Sequence, residues 1–142
     1  MRRAHPGRVA AALVAAAALA AALAAPGGAA ADALAETGRE EFVRYCAACH
    51  GAQATGDGPV APVLRATPPD LTRLAARSGG AFPAANVQSV IDGRFAIEAH
   101  GTRTMPVWGR VLGQPIADQT TADEVSRGRI DALVRYLESI QR

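Results

Sequence analysis

The densest group of reactive side chains in this 142-residue sequence is Cys46-Ala47-Ala48-Cys49-His50. On a helix, thiols three residues apart lie on one face, and the imidazole follows them directly. Thiol and imidazole groups in such a set serve thiol redox exchange, a disulfide, a metal ion or covalent attachment of a cofactor. A redox dithiol usually lies beside a β-α-β pattern and requires no His after the second Cys, so His50 helps to separate these chemistries.

The spacing Cys-x-x-Cys-His is the attachment signature of c-type haem. Each thiol can form a thioether with one vinyl group of the haem, and the next residue is then placed against the iron. The pattern therefore favours one covalent haem c, with Cys46 and Cys49 as its thioethers and His50 as an axial iron ligand. A redox dithiol, a short-loop disulfide and a zinc site completed by His100 remain the alternatives.

A second axial ligand must come from a distant part of the chain. Beyond the N-terminal segment, Met105 is the only Met, and His100 is the only His besides His50. Met105 precedes Pro106, which opposes helix formation, so a rigid loop can hold the thioether over a flat cofactor. We expect Met105 to bind the iron and Trp108 to cover the haem edge. Ligation by His100 and an open sixth position are the alternatives. Five arginines are candidate partners for the haem propionates: Arg65, Arg73, Arg94, Arg103 and Arg110.

The elements that must position these residues are helices joined by long loops. Thr37-Gly38-Arg39-Glu40 has the spacing of a capping box and predicts a helix start at Thr37, with Gly51 as a plausible end. A short helix is predicted from Asp70 or Thr72 to Ala76, and another from Ala84 to Asp92 with Gly93 as its stop. Thr121-x-x-Glu124 predicts the start of the last helix, whose apolar stripe is Ile130, Leu133, Val134, Leu137 and Ile140. We therefore expect an all-α domain with about four short helices and a loop from His100 to Gly113.

The N-terminus has the layout of a secretory signal. Arg2, Arg3 and Arg8 precede an apolar run over residues 9–25, and small residues follow. We expect a signal peptide over residues 1–31, cleaved between residues 25 and 35, followed by one domain over residues 36–142. An uncleaved membrane anchor is the alternative.

Composition excludes several classes of protein. There are 15 basic residues, all of them Arg, against 13 acidic residues. Cleavage after Ala31 leaves 12 Arg against 13 acids, so the net charge becomes −1 and nucleic-acid binding is not indicated. Two Cys are too few for a disulfide-rich scaffold.

Together these residues resemble a class I cytochrome c of the small bacterial periplasmic kind. The resemblance covers roughly residues 36–142 and depends on the Cys-x-x-Cys-His motif, the Met105 loop and the first and last helices. It implies a cytochrome c-like fold in which the first and last helices cross near Gly38, Phe42 and Tyr136. The attachment motif is near the mature N-terminus, which separates this chain from the four-helix-bundle cytochromes. Two loops, residues 56–59 and 68–72, resemble those of cytochrome subunits that serve dehydrogenases and oxidases.

The expected function is one-electron transfer in the periplasm, without enzymatic turnover. The expected partners are redox proteins: a dehydrogenase, an oxidase or a membrane cytochrome complex, with membrane contact only if the N-terminal segment is retained. Apolar side chains are expected to exclude water from the haem: Val87, Ile91, Val107, Leu133 and Leu137. A haem protein that binds gases or acts as a small peroxidase, with a labile sixth ligand, is the alternative.

Overall fold

The computed structural model describes residues 27–94 and 105–142, which are helical with no β-strand among them. The chain divides into a unit of residues 1–30 and a unit of residues 31–142, and the second unit contains the hydrophobic core. His100 and Arg103 lie outside the described residues. No helix within the described ranges has both the length and the apolar character needed to cross a membrane.

Six α-helices and two 3₁₀ turns follow one another in the described ranges, which confirms the all-α class. They are α1 (Gly27–Tyr45), α2 (Ala47–His50), the turns Ala61–Val63 and Leu71–Arg73, α3 (Leu74–Arg77), α4 (Ala84–Asp92), α5 (Trp108–Val111) and α6 (Gln119–Ser139). The sequence predicted about four helices. It did not separate α2 from α1 and did not find α5, because a four-residue helix is too short to show a periodic pattern.

The predicted start of the first helix is wrong. Helix α1 begins at Gly27, so Thr37 lies inside it and its hydroxyl donates to the Ala33 carbonyl at 3.1 Å. Most residues between Gly28 and Thr37 are Ala, which has the highest helix propensity. A helix that continues through this segment has no need of a cap at Thr37.

The capping box predicted for the last helix is also wrong. Helix α6 begins at Gln119, and its N-cap is Asp118. The Asp118 carboxylate accepts hydrogen bonds from the Thr121 backbone N–H at 2.8 Å and from the Thr121 hydroxyl at 2.7 Å. The Thr121 hydroxyl, which the sequence predicted to cap the helix, therefore donates to Asp118, the residue that caps it.

The predictions for the middle of the chain agree better with the structure. Asp70 caps the turn Leu71–Arg73 by accepting from the Thr72 backbone N–H at 2.9 Å, and α3 follows directly. Helix α4 covers the predicted residues, and Gly93 ends it with a left-handed φ of 64°. Only Gly adopts this conformation without strain, which explains why the stop could be read from sequence.

Helices α1 and α6 meet where the resemblance implied that they would. A side chain on Gly38 would collide with the Ala132 carbonyl oxygen and would reach 2.8 Å from Cβ of Tyr136. One turn further along α1, the Phe42 ring packs on the Tyr136 ring with centroids 5.3 Å apart. The small residue lets the two backbones approach, and the rings fill the space beside them.

Helix α6 forms the centre of the core. Ile130, Leu133 and Leu137 are buried, while Val134 and Ile140 of the predicted stripe are partly buried against the same cluster. Helices α4 and α5 both pack against α6 and against each other. Helix α5, which follows residues 105–107, is therefore held by two helices from other parts of the sequence.

Candidate functional site

The two cysteines lie at the junction between α1 and α2. Cys46 continues the backbone of α1 by donating to the Phe42 carbonyl at 2.8 Å, and Cys49 donates to the Cys46 carbonyl at 3.1 Å. Both thiols are free and partly buried. Burial raises the pKa of the Cys46 thiol to about 12, with Cys49 and Glu41 adding to the effect. A thiol with a raised pKa is a weaker nucleophile than an exposed thiol at neutral pH.

His50 ends α2 with its imidazole half-buried. Burial lowers the pKa of His50, and the nearby Pro69 backbone carbonyl opposes part of this shift. The buried Nδ1 makes no hydrogen bond of normal geometry among the described residues. The lowered pKa favours the uncharged ring, which is the form in which imidazole binds a metal ion.

The loop after the motif folds closely onto the motif backbone. Gly56 donates to the His50 carbonyl at 2.8 Å, and Val60 donates to the Ala48 carbonyl at 3.0 Å. A Cβ on Gly58 would lie 2.6 Å from the Cys49 carbonyl oxygen, so the approach requires Gly. The loop thereby fixes the backbone that carries both thiols and the imidazole.

Met105 and Trp108 reach the same region from the other end of the chain. Both are partly buried and pack against the hydrophobic cluster, as do Tyr45, Cys46 and Ala47. The Trp108 ring contacts the Tyr45 ring, with centroids 5.8 Å apart and planes tilted by 58°. Tyr45 directly precedes the first cysteine, so the Met105 segment is anchored next to the motif.

Within residues 27–94 and 105–142, no three His, Cys, Asp or Glu side chains are grouped so that they could hold a metal ion. Cys46, Cys49 and His50 therefore do not converge as zinc ligands do, although they are close in sequence. The fourth ligand proposed for zinc, His100, lies outside the described residues.

The comparison with protein families agrees with the all-helical fold and with the motif. Residues 33–137 match the family described as cytochrome c oxidase, cbb3-type, subunit III, and this segment is well over half of the chain. The chain belongs to this family. It is therefore a c-type cytochrome domain, its cofactor is covalently bound haem c with iron, and its function is haem-based electron transfer. Comparisons with curated proteins and with solved structures found no match.

The residues present in this cytochrome fit such a cofactor by their chemistry. Two free thiols, one uncharged imidazole and one thioether are the donors that covalent haem with His and Met ligation needs. Of the arginines considered for the propionates, Arg94 is already engaged: it pairs with both carboxylate oxygens of Asp92 and with Asp123.

Sequence reasoning missed a second group of residues that supports the cytochrome site. Gln141 donates to the Leu71 carbonyl and accepts from the Ala75 backbone N–H, each at 2.9 Å. Ser126 is buried on α6 and donates to the Gly109 carbonyl at 2.9 Å. Neither residue lies in a motif, and both act across long sequence separations. No local pattern could have identified them.

Proposed function

We propose that this cytochrome is a periplasmic one-electron carrier. In this proposal Cys46 and Cys49 attach haem c, and His50 and Met105 are the axial iron ligands. The observation that carries the proposal is that Met105, Trp108 and Cys46 all pack against the same hydrophobic cluster. The Tyr45–Trp108 ring contact joins the same two segments, so donors far apart in sequence are held near one another.

Haem c supplies a one-electron iron couple when it is bound. In its uncharged form, which the lowered pKa favours, the His50 imidazole could donate the electron pair of a ring nitrogen to the iron without first losing a proton. The Met105 thioether is a soft, neutral ligand, and a thioether opposite His raises the reduction potential. Trp108 has a ring partner in Tyr45, and we propose that it also covers the haem edge.

The side chains around these donors favour fast transfer. Val87, Ile91, Leu133 and Leu137 are buried in the core, and Val107 is partly buried. An apolar surround keeps water from the iron and favours its less charged state. If both protein ligands stay bound in the oxidised and the reduced state, little of the structure has to rearrange during electron transfer.

The N-terminal segment and the family support the proposed location and partners. We propose that residues 1–31 are a signal peptide, which would place the domain over residues 36–142 in the periplasm. Since the family is described as an oxidase subunit, an oxidase is one candidate partner. A dehydrogenase or a membrane cytochrome complex would require the same small, transient contact. The membrane is a partner only if the N-terminal segment is retained.

The test is the visible spectrum of the reduced protein with and without carbon monoxide. The protein should be produced in the periplasm of a host that attaches haem, and its mass should be measured first. A closed six-coordinate site predicts one covalent haem and no spectral change with carbon monoxide, whereas Met105→Ala should bind the gas promptly. A prompt change in the wild type would instead support the gas-binding or peroxidase alternative. Loss of peroxide turnover in His100→Ala would then identify a role for His100.

A further inference from the structure

Helix α5 follows the Met105 loop directly and is held on α6 by a buried hydrogen bond. The Ser126 hydroxyl, with no exposed surface, donates to the Gly109 carbonyl at 2.9 Å. Gly109 is buried and lies in the first turn of α5. The Trp108 backbone N–H donates to the Pro106 carbonyl at 3.1 Å, so a tight turn connects this anchor to Met105.

An ion-pair group closes around the same glycine. The Arg94 guanidinium holds the Asp92 carboxylate through two hydrogen bonds of 2.8 and 2.9 Å and also donates to Asp123 on α6. A Cβ on Gly109 would collide with the Asp92 carboxylate and would lie 2.6 Å from Nε of Arg94. Gly109 has no side chain, and three elements therefore pack closely around it: the end of α4, helix α5 and the first turns of α6.

The far end of α5 is fixed as well. Leu112 is 1% exposed, and its carbonyl accepts from the Arg129 guanidinium at 3.1 Å. Arg129 also lies 3.7 Å from the Glu41 carboxylate on α1. Anchors on both sides leave α5 little freedom to shift along α6.

We infer that Ser126 is a positioning residue for the sixth ligand: its hydrogen bond to Gly109 holds α5 in place and so keeps Met105 bound. The inference depends on the proposed function, in which Met105 is that ligand. Loss of the hydroxyl leaves the Gly109 carbonyl buried without its donor, and a buried unsatisfied acceptor costs more than an exposed one. A movement of α5 that exposes the Gly109 carbonyl to water removes this free-energy cost. Because Met105 is connected to α5 by a tight turn, it moves with the helix.

The experiment compares five proteins with haem attached: the wild type, Ser126→Ala, Gly109→Ala, Ser139→Ala and Met105→Ala. Ser139 is the control, since its hydroxyl also donates to a backbone carbonyl, that of Tyr136 within α6 at 2.7 Å, but makes no such bond to α5. The measurements are the rate of carbon monoxide binding to the reduced protein and the far-red sulfur-to-iron band of the oxidised protein. Far-ultraviolet circular dichroism checks that each variant is folded.

Ser126→Ala should bind carbon monoxide about tenfold faster than the wild type and lose part of the far-red band, with helical content unchanged. Ser139→Ala should match the wild type. Gly109→Ala gives a second, larger perturbation and should accelerate binding further, because its methyl group displaces α5 from the Asp92–Arg94 pair. A wild-type rate in a folded Ser126→Ala would overturn the inference, whatever the rate in Gly109→Ala. Wild-type spectra in Met105→Ala would overturn the ligand assignment itself, and the inference with it.

Discussion

Gln141 gives the sharpest test of how the C-terminal segment supports the His50 side of the site. Its side-chain amide donates to the Leu71 carbonyl at 2.9 Å and to the Leu137 carbonyl at 2.6 Å, and its oxygen accepts from the Ala75 backbone N–H at 2.9 Å. These bonds join the end of α6 to the segment that follows Pro69, the residue whose carbonyl is near His50.

The size of the effect follows from these three bonds. A net contribution of about 0.5–1.5 kcal/mol for each bond gives an upper range of about 1.5–4.5 kcal/mol for Gln141→Ala. The three groups are only partly buried, so water replaces some of the lost bonds and we expect about 2 kcal/mol. For a domain of this size that loss lowers the melting temperature by roughly 8 °C. Gln141→Glu should be at least as damaging, because a carboxylate cannot donate to the Leu71 and Leu137 carbonyls.

The assay is thermal unfolding of the haem-loaded protein followed by circular dichroism. Gln88→Ala is the matched control, since the Gln88 amide makes a single exposed hydrogen bond, to Asp131 at 2.8 Å, and its loss should cost little. If Gln141→Ala and Gln88→Ala unfold at the same temperature, the Gln141 side chain does not stabilise the segment of residues 71–75 and the reasoning fails.

Three further predictions concern helix packing and charge. Gly38→Ala should destabilise the protein by about 1–3 kcal/mol in urea unfolding, because the added methyl group collides with the Ala132 carbonyl. Gly128→Ala should stabilise it by about 0.5–1 kcal/mol, since nothing lies within 4 Å of the added methyl group, and a stability loss there would contradict the packing described. The hydrogen-bonded Arg94 guanidinium lowers the pKa of Asp92 below its ordinary 3.8, so this pair stabilises the fold above that pH and its contribution is lost as acid protonates Asp92. Asp92→Asn should therefore lose less stability than the wild type between pH 5 and pH 3, measured by urea midpoints, and parallel curves would refute the assignment.

Local signals in the sequence predicted much of the fold and the chemistry. The left-handed Gly93 stop and the apolar stripe of α6 depend on residues close together in the chain, and both agree with the structure. The two capping boxes failed for a physical reason. Several side chains near a helix start can accept a backbone N–H, and the choice depends on where the helix packs, as Asp118 in place of Thr121 shows.

The sequence by itself predicted the proposed donor set: two thiols, an imidazole and a thioether, with the first three in one short motif. Only the tertiary structure decided that Met105 and Cys46 pack against the same hydrophobic cluster, and that Trp108 packs on Tyr45. The residues responsible are buried on other elements: Ser126 on α6, the Gly109 contact with Asp92, and the Arg129 bond to Leu112. The two hydrogen bonds between α5 and α6, Ser126 to Gly109 and Arg129 to Leu112, each join residues 17 positions apart. No helical or strand periodicity in the sequence connects residues at that separation. These contacts exist only once the core has formed.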